Sequence, residues 1–169
     1  LYQKHWPILP TPFLNPYARN VTGITSIRNP YSRAVSCWQF FTKPGSITFL
    51  DWTRERLKTG FINIHIEARP QSFWFNLHKW DVIIRQETLE QDFWDLVRRL
   101  HPDTSIQPLV RYNDINGDWG NRVGARTSRP NPWYTYYCDE SRFNVTQIYA
   151  SDFDCLAEWY SRDFPEATS

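Results

Sequence analysis

Methionine is missing from all 169 residues, and the chain starts at Leu1. A chain without methionine reads as a piece or processed form of a longer protein, so the lack of a visible signal peptide excludes no compartment. No run of about 18 apolar residues occurs, which leaves no candidate transmembrane helix. Net charge is nearly absent: 19 Lys and Arg stand against 18 Asp and Glu, leaving +1. No global field therefore draws the chain to nucleic acid or to an anionic membrane, and any anion binding has to be local. Cysteine is scarce. Cys37, Cys138 and Cys155 form no Cys-x-x-Cys pair and so indicate neither a zinc site nor a disulfide framework. Cys138 and Cys155 have the option of pairing, but buried free thiols are the simpler reading.

Aromatic residues are plentiful, with nine Trp, nine Tyr and eleven Phe. They suit a core of large side chains, or a groove that stacks rings or sugars. The length is that of one domain with a sizeable core, taken here as residues 1–169. Leu1 to Asn20 holds four prolines and reads as an ordered loop. Asn-Val-Thr sequons at Asn20 and Asn144 would accept glycans only in a secretory setting and carry no weight alone.

The organising stretch runs from Ser26 to Ser36. Strand-favouring residues Val21 to Ile27 lead into it, and a helical segment from Tyr31 to Lys43 leaves it. Pro30 stands where the first helical turn tolerates a missing N–H. Strand, tight turn and helix start together turn backbone N–H groups and a helix dipole toward an anion. Arg28, at the end of the strand, has the geometry for a bidentate contact to phosphate. Ser36 lies about two turns into the helix and reaches the same anion only if that helix lies along it.

The rest of the chain reads as scaffold. Pro44-Gly45 stops the first helix, Thr48-x-x-Asp51 caps the next over Phe49 to Lys58, and Gly60 ends it. Ile62, Ile64 and Ile66 alternate like a strand, with His65 and Glu67 on a solvated face rather than in a metal site. Trp80 to Arg85 reads as a second buried parallel strand. Thr88 and Gln91 form a capping box for a helix that closes at Arg98-Arg99, with Glu87 anchoring the strand–helix turn. Asp103 to Pro132 is a long polar loop with four arginines, too local a basic stretch for a nucleic-acid binder. Asp139 to Tyr160 reads as one helix that packs Phe143, Ile148, Leu156 and Trp159 on the sheet.

Three separated motifs resemble one family. Arg-Asn-Pro-x-x-Arg-x-x-Ser, from Arg28 to Ser36 after a hydrophobic strand, is similar to the 3′-phosphate motif of sulfotransferases that use 3′-phosphoadenosine 5′-phosphosulfate. Glu87-Thr88-Leu89-x-x-Asp92 after a strand resembles a second segment of those enzymes, with Gln86 standing where they usually carry an aromatic. Ile148-Tyr149-x-x-Asp152-Phe153, after Tyr136-Tyr137, resembles their C-terminal helix. Lys43 to Thr48 matches their 5′-phosphosulfate loop by letters only, because it follows a helix rather than a buried strand.

The carbohydrate (Golgi-type) and bacterial members of that family set the expectations. They imply an α/β fold, a parallel sheet with flanking helices related to the P-loop nucleotide kinases and incomplete at its N-terminus. The loop that cradles the 5′-phosphosulfate is expected upstream of residue 1. Arg28 and Ser36 would grip the 3′-phosphate, Arg33 matches the motif's second arginine, and Gln71 and Trp74 would line the acceptor groove. His5, in Lys4-His5-Trp6, matches the base that deprotonates the acceptor hydroxyl. An imidazole near neutral pKa suits that role, and a plain loop histidine beside Trp6 stays equally open. The implied reaction transfers a sulfuryl group to a hydroxyl, in first place of a carbohydrate, with the nucleotide as co-substrate and no metal. Two other readings remain: a non-catalytic nucleotide- or carbohydrate-binding domain of the same fold, and an aromatic-rich structural module.

Overall fold

A computed structural model of the chain describes residues 23–43, 45–60, 68–76, 79–103, 105 and 132–164. Strand β1 (Ile24–Ile27) pairs in parallel with β2 (Val82–Arg85), register Ile24 to Val82 through Ile27 to Arg85. Among the described residues these two form the sheet. Gly23 pins the register: its N–H donates to Asp81 Oδ2 at 2.7 Å, and its carbonyl accepts from the N–H groups of Asp81 and Val82. Ile27 and Ile84 are the buried members of the pair. The α/β class with a parallel sheet is thus present in small form.

Helix α1 (Pro30–Phe41) follows β1 at once. Its N-cap is Asn29, whose side chain accepts from the N–H groups of Tyr31 and Ser32, and Pro30 occupies the first turn, where no donor is required. Helix α2 (Phe49–Thr59) begins on Thr48, whose Oγ1 accepts from Asp51 N–H at 3.1 Å and donates to the Asp51 carboxylate at 2.7 Å. It ends on Gly60 at φ 61°, a left-handed position that disfavours any side chain. The Gly45–Thr48 stretch is a helix stop and cap, as expected.

A short helix α3 (Ser72–Phe75) comes before β2. A 3₁₀ turn (Gln86–Thr88) and helix α4 (Leu89–Leu100) come after it. Thr88 stands at the N-cap of α4, as expected, but its side chain makes no capping hydrogen bond, so the Thr88–Gln91 capping box does not form. Asp92 in the first turn reaches back instead, accepting from the N–H and guanidinium of Arg85.

The single C-terminal helix expected from Asp139 is two: α5 (Asp139–Ile148) and α6 (Ala150–Cys155), broken at Tyr149. Tyr149 is fully buried and its hydroxyl donates to the Ala68 carbonyl at 3.0 Å, so tertiary contact wins over helical continuity. The inward stripe is Val145, Tyr149, Phe153 and Leu156. Phe143, expected inside, is 61% exposed.

One core cluster joins α1, α2, α5 and α6 through Tyr31, Val35, Phe49, Trp52, Val145, Tyr149 and Phe153. A second, of Ile27, Leu156 and Tyr160, lies under the strands with Phe75, Ile83 and Trp159 against it. The buried tyrosines keep their hydroxyls satisfied: Tyr31 lies 2.9 Å from Thr146 Oγ1 and donates to the Arg162 carbonyl at 2.6 Å. Asn144 is equally committed, its amide donating to Thr53 Oγ1 at 3.1 Å inside the protein, which rules out the second sequon as a glycan site in the folded chain. Of the thiols, Cys37 is buried, Cys155 half-buried and Cys138 exposed; the last two differ from the buried thiols expected, Cys138 because it stands at the N-cap of α5. No helix among the described residues is long and apolar enough to cross a membrane, and none of their His, Cys, Asp and Glu side chains cluster as a metal site.

Candidate anion site

A cavity of about 530 Å³ opens at the carboxyl ends of the two strands. That volume suits a small organic ligand, and the edge is where parallel sheets bind theirs. Three walls close it. The end of β1 brings Thr25, Ser26, Ile27 and Arg28, α1 brings a stripe of five residues, and the α3 region brings Gln71, Trp74 and Phe75.

The α1 stripe is Arg33, Ser36, Cys37, Phe40 and Phe41. Their spacing of i, i+3, i+4, i+7 and i+8 is one face of a helix, so α1 lies along the cavity, the condition Ser36 needs in order to serve the same ligand as Arg28. Its opposite face, Tyr31, Ala34 and Val35, is core. Polarity runs along the stripe: a cation and a hydroxyl at the N-terminal end, two phenylalanines at the other. The cavity is therefore charged at one end and aromatic at the other.

Arg28 is half-buried at the charged end. Its Nε donates to Ser32 Oγ at 2.9 Å. No carboxylate lies within ion-pair distance among the described residues. Burial is the largest influence on its guanidinium and holds it below the usual arginine range, with Glu87 and Cys37 pulling the other way and Arg33 adding to the depression. It stays a cation, since the ordinary arginine pKa lies so far above neutrality. Arg33 lies with its guanidinium carbon 5.8 Å from the ring centroid of Tyr149, so the second cation leans on the core. The Ser36 hydroxyl makes no hydrogen bond to a described residue, not even to the carbonyl four positions back that helical serines often use.

The backbone at this corner differs from expectation. Arg28 N–H donates to Gln71 Oε1 at 2.8 Å, and Asn29 N–H to Glu87 Oε1 at 2.9 Å. Tyr31 and Ser32 N–H both meet Asn29 Oδ1, Pro30 has no N–H, and Arg33 N–H bonds to the Asn29 carbonyl. Every amide from residue 28 to residue 33 is occupied. Any anion here is held by side chains and not by a cradle of N–H groups.

Five of the six residues singled out in the sequence, Arg28, Arg33, Ser36, Gln71 and Trp74, line this one cavity. His5 lies outside the described residues, as do His65, Glu67, most of the Asp103–Pro132 loop and Asn20. Gln71 faces the cavity, but its amide is engaged, with Oε1 on Arg28 N–H and Nε2 on the Arg28 carbonyl at 2.7 Å. Sequence reasoning missed Phe40, Phe41 and Phe75 as lining residues; the helical stripe beginning at Arg33 was the available signal for the first two. Gln86, exposed at the end of β2, completes the rim.

No family model, curated protein or solved structure matches this chain.

Proposed function

We propose that this cavity binds the 3′-phosphate end of 3′-phosphoadenosine 5′-phosphosulfate and that the chain is part of a sulfotransferase of the P-loop kinase-like fold. The observation that carries the reading is Arg28. A half-buried guanidinium with no carboxylate partner among the described residues costs stability, and a bound anion removes that cost. Arg33 and the Ser36 hydroxyl share its cavity, which gives two cations and a neutral donor for one phosphate. The aromatic end, with Phe40, Phe41, Trp74 and Phe75, offers faces for a base or a sugar ring.

The chemistry would be in-line transfer. The acceptor oxygen, in first place of a carbohydrate hydroxyl, forms a bond to sulfur as the bond from sulfur to the 5′-phosphate oxygen breaks. The hydroxyl proton goes to a base, the role assigned to His5. Adenosine 3′,5′-bisphosphate leaves with the electron pair. Positioning supplies most of the rate in such transfers, and Arg28, Arg33 and Ser36 hold the donor by the group that does not react.

Calorimetry with adenosine 3′,5′-bisphosphate tests the reading. Binding is expected in wild type, weaker in Ser36→Ala, and weaker again for adenosine 5′-monophosphate, which lacks the 3′-phosphate. Equal affinity for both nucleotides would overturn it. A non-catalytic nucleotide- or carbohydrate-binding domain is the second reading, favoured by the aromatic walls. Sulfuryl transfer from labelled donor by the longest natural chain, lost in Arg28→Ala, decides for the enzyme.

A further inference from the structure

Both peptide planes that flank the Arg28 α-carbon are held by side chains from distant parts of the chain. The plane before it is fixed through its N–H by Gln71 Oε1 at 2.8 Å. The plane after it is fixed twice, through the Arg28 carbonyl by Gln71 Nε2 at 2.7 Å and through Asn29 N–H by Glu87 Oε1 at 2.9 Å. Because peptide units are planar, holding both sets φ and ψ at the residue between them, and with them the direction in which the side chain leaves. The far end is set by the Nε bond to Ser32 Oγ.

The two clamps are themselves anchored. Glu87 accepts from the Tyr160 hydroxyl at 2.6 Å, and Tyr160 is 8% exposed, seated in the cluster with Ile27 and Leu156. Next to Gln71, Ser72 N–H donates to Asp152 Oδ1 at 2.7 Å, and the Ser72 and Ser151 hydroxyls meet at 2.9 Å. Both lines of support end in the C-terminal segment that contains α6.

We infer that Gln71, Glu87 and Tyr160 are positioning residues of the anion site: they aim the Arg28 guanidinium, and through them the segment from Ser151 to Tyr160 sets anion affinity. The inference rests on the proposed anion reading and gives Gln71 a role other than substrate contact. A ligand would find the cation already oriented, without the ordering cost a free arginine side chain carries on binding.

The test uses Tyr160→Phe, which removes one hydroxyl, and Gln71→Met, which keeps the volume and removes both hydrogen bonds. The Arg28 Nε–H resonance, assigned against Arg28→Lys, is followed by nitrogen-15 NMR in the ligand-free protein, and adenosine 3′,5′-bisphosphate affinity by calorimetry. In wild type the resonance is expected to be resolved and slow to exchange. In both variants it moves to the position of solvent-exposed arginines while the fold is retained, and affinity falls by about threefold to tenfold for Tyr160→Phe and more for Gln71→Met. A residue that only holds the fold together would lower the melting temperature and leave that resonance in place. Folded variants whose Arg28 resonance is unchanged overturn the inference. Absence of nucleotide binding in wild type overturns the anion reading instead, and the positioning role is then judged on the ligand-free resonance alone.

Discussion

Replacing Arg28 with methionine should separate binding from stability. The substitution keeps a long flexible side chain and deletes the charge. In the unliganded protein it loses one charge-assisted hydrogen bond, Nε to Ser32 Oγ, worth about 1.5–3 kcal/mol for a well-buried pair and less for this half-buried one. The attraction from Glu87 is lost with it, and against both losses stand the desolvation that already lowers the guanidinium pKa and the repulsion from Arg33. The two sides nearly cancel, so the stability change is expected to stay within about 1 kcal/mol. Binding has no such offset. A bidentate guanidinium–phosphate contact in a partly desolvated site contributes about 2 kcal/mol or more, so affinity for adenosine 3′,5′-bisphosphate should drop about 30-fold or more. Urea denaturation measures the first quantity and calorimetry the second. A variant that loses more than about 3 kcal/mol of stability while binding the nucleotide normally would refute the reasoning, because Arg28 would then be a structural cation.

Other consequences follow from single contacts. Asp152→Ala leaves the buried Ser72 N–H without a partner and should cost about 2–3 kcal/mol in denaturant unfolding, with nucleotide affinity falling as well because Gln71 is the neighbouring residue. Asp92 is held below the usual carboxylate range, chiefly by the Arg85 guanidinium; since the folded-state pKa is depressed, its stabilisation is complete above the ordinary carboxylate pKa and lost as pH falls through the depressed one. Asp92→Asn should therefore flatten the acid limb of the stability–pH curve, and an unchanged limb would count against the pair. The Ser141 hydroxyl holds the Cys138 thiol below its usual range, while burial and then Asp152 raise that of Cys155. Iodoacetamide at neutral pH should modify Cys138 first and Cys155 more slowly, with buried Cys37 last, as read by peptide mass spectrometry.

What was legible in the sequence is what short-range rules decide. Pro30 in the first turn, Thr48 with Asp51, and Gly60 at positive φ each act within a few residues, and each stands where the sequence places it. The parallel pairing of β1 with β2 also follows from two short apolar runs separated by helices. What was not legible depends on partners far away. Nothing near Arg28 announces that Gln71, 43 positions on, will take its N–H, or that Glu87, 58 positions from Asn29, will take the next one. The Tyr149 break has the same origin, since the carbonyl that accepts its hydroxyl belongs to Ala68. Thr88 takes the N-cap position directly after a 3₁₀ turn but makes no side-chain cap bond, and Asp92 in the first turn pairs with Arg85 instead.

The occupied amides change what kind of site this is. A helix mouth with open N–H groups binds any compact anion and takes its specificity from the loop that shapes it. Here that mouth is closed by the Asn29 side chain and by the Glu87 carboxylate at the peptide before it. In the proposed reading, recognition would fall to the Arg28 fork, Arg33 and the Ser36 hydroxyl, carried on a strand end and a helix face. A planar fork at a fixed angle distinguishes a phosphate monoester from a single-point anion, which a ring of backbone N–H groups does less well. Glu87 adds a negative charge close by, so an anion whose oxygens do not meet the guanidinium squarely gains little from entering. Discrimination in the proposed site would come from orientation more than from net charge, and the clamps on the Arg28 backbone would supply that orientation.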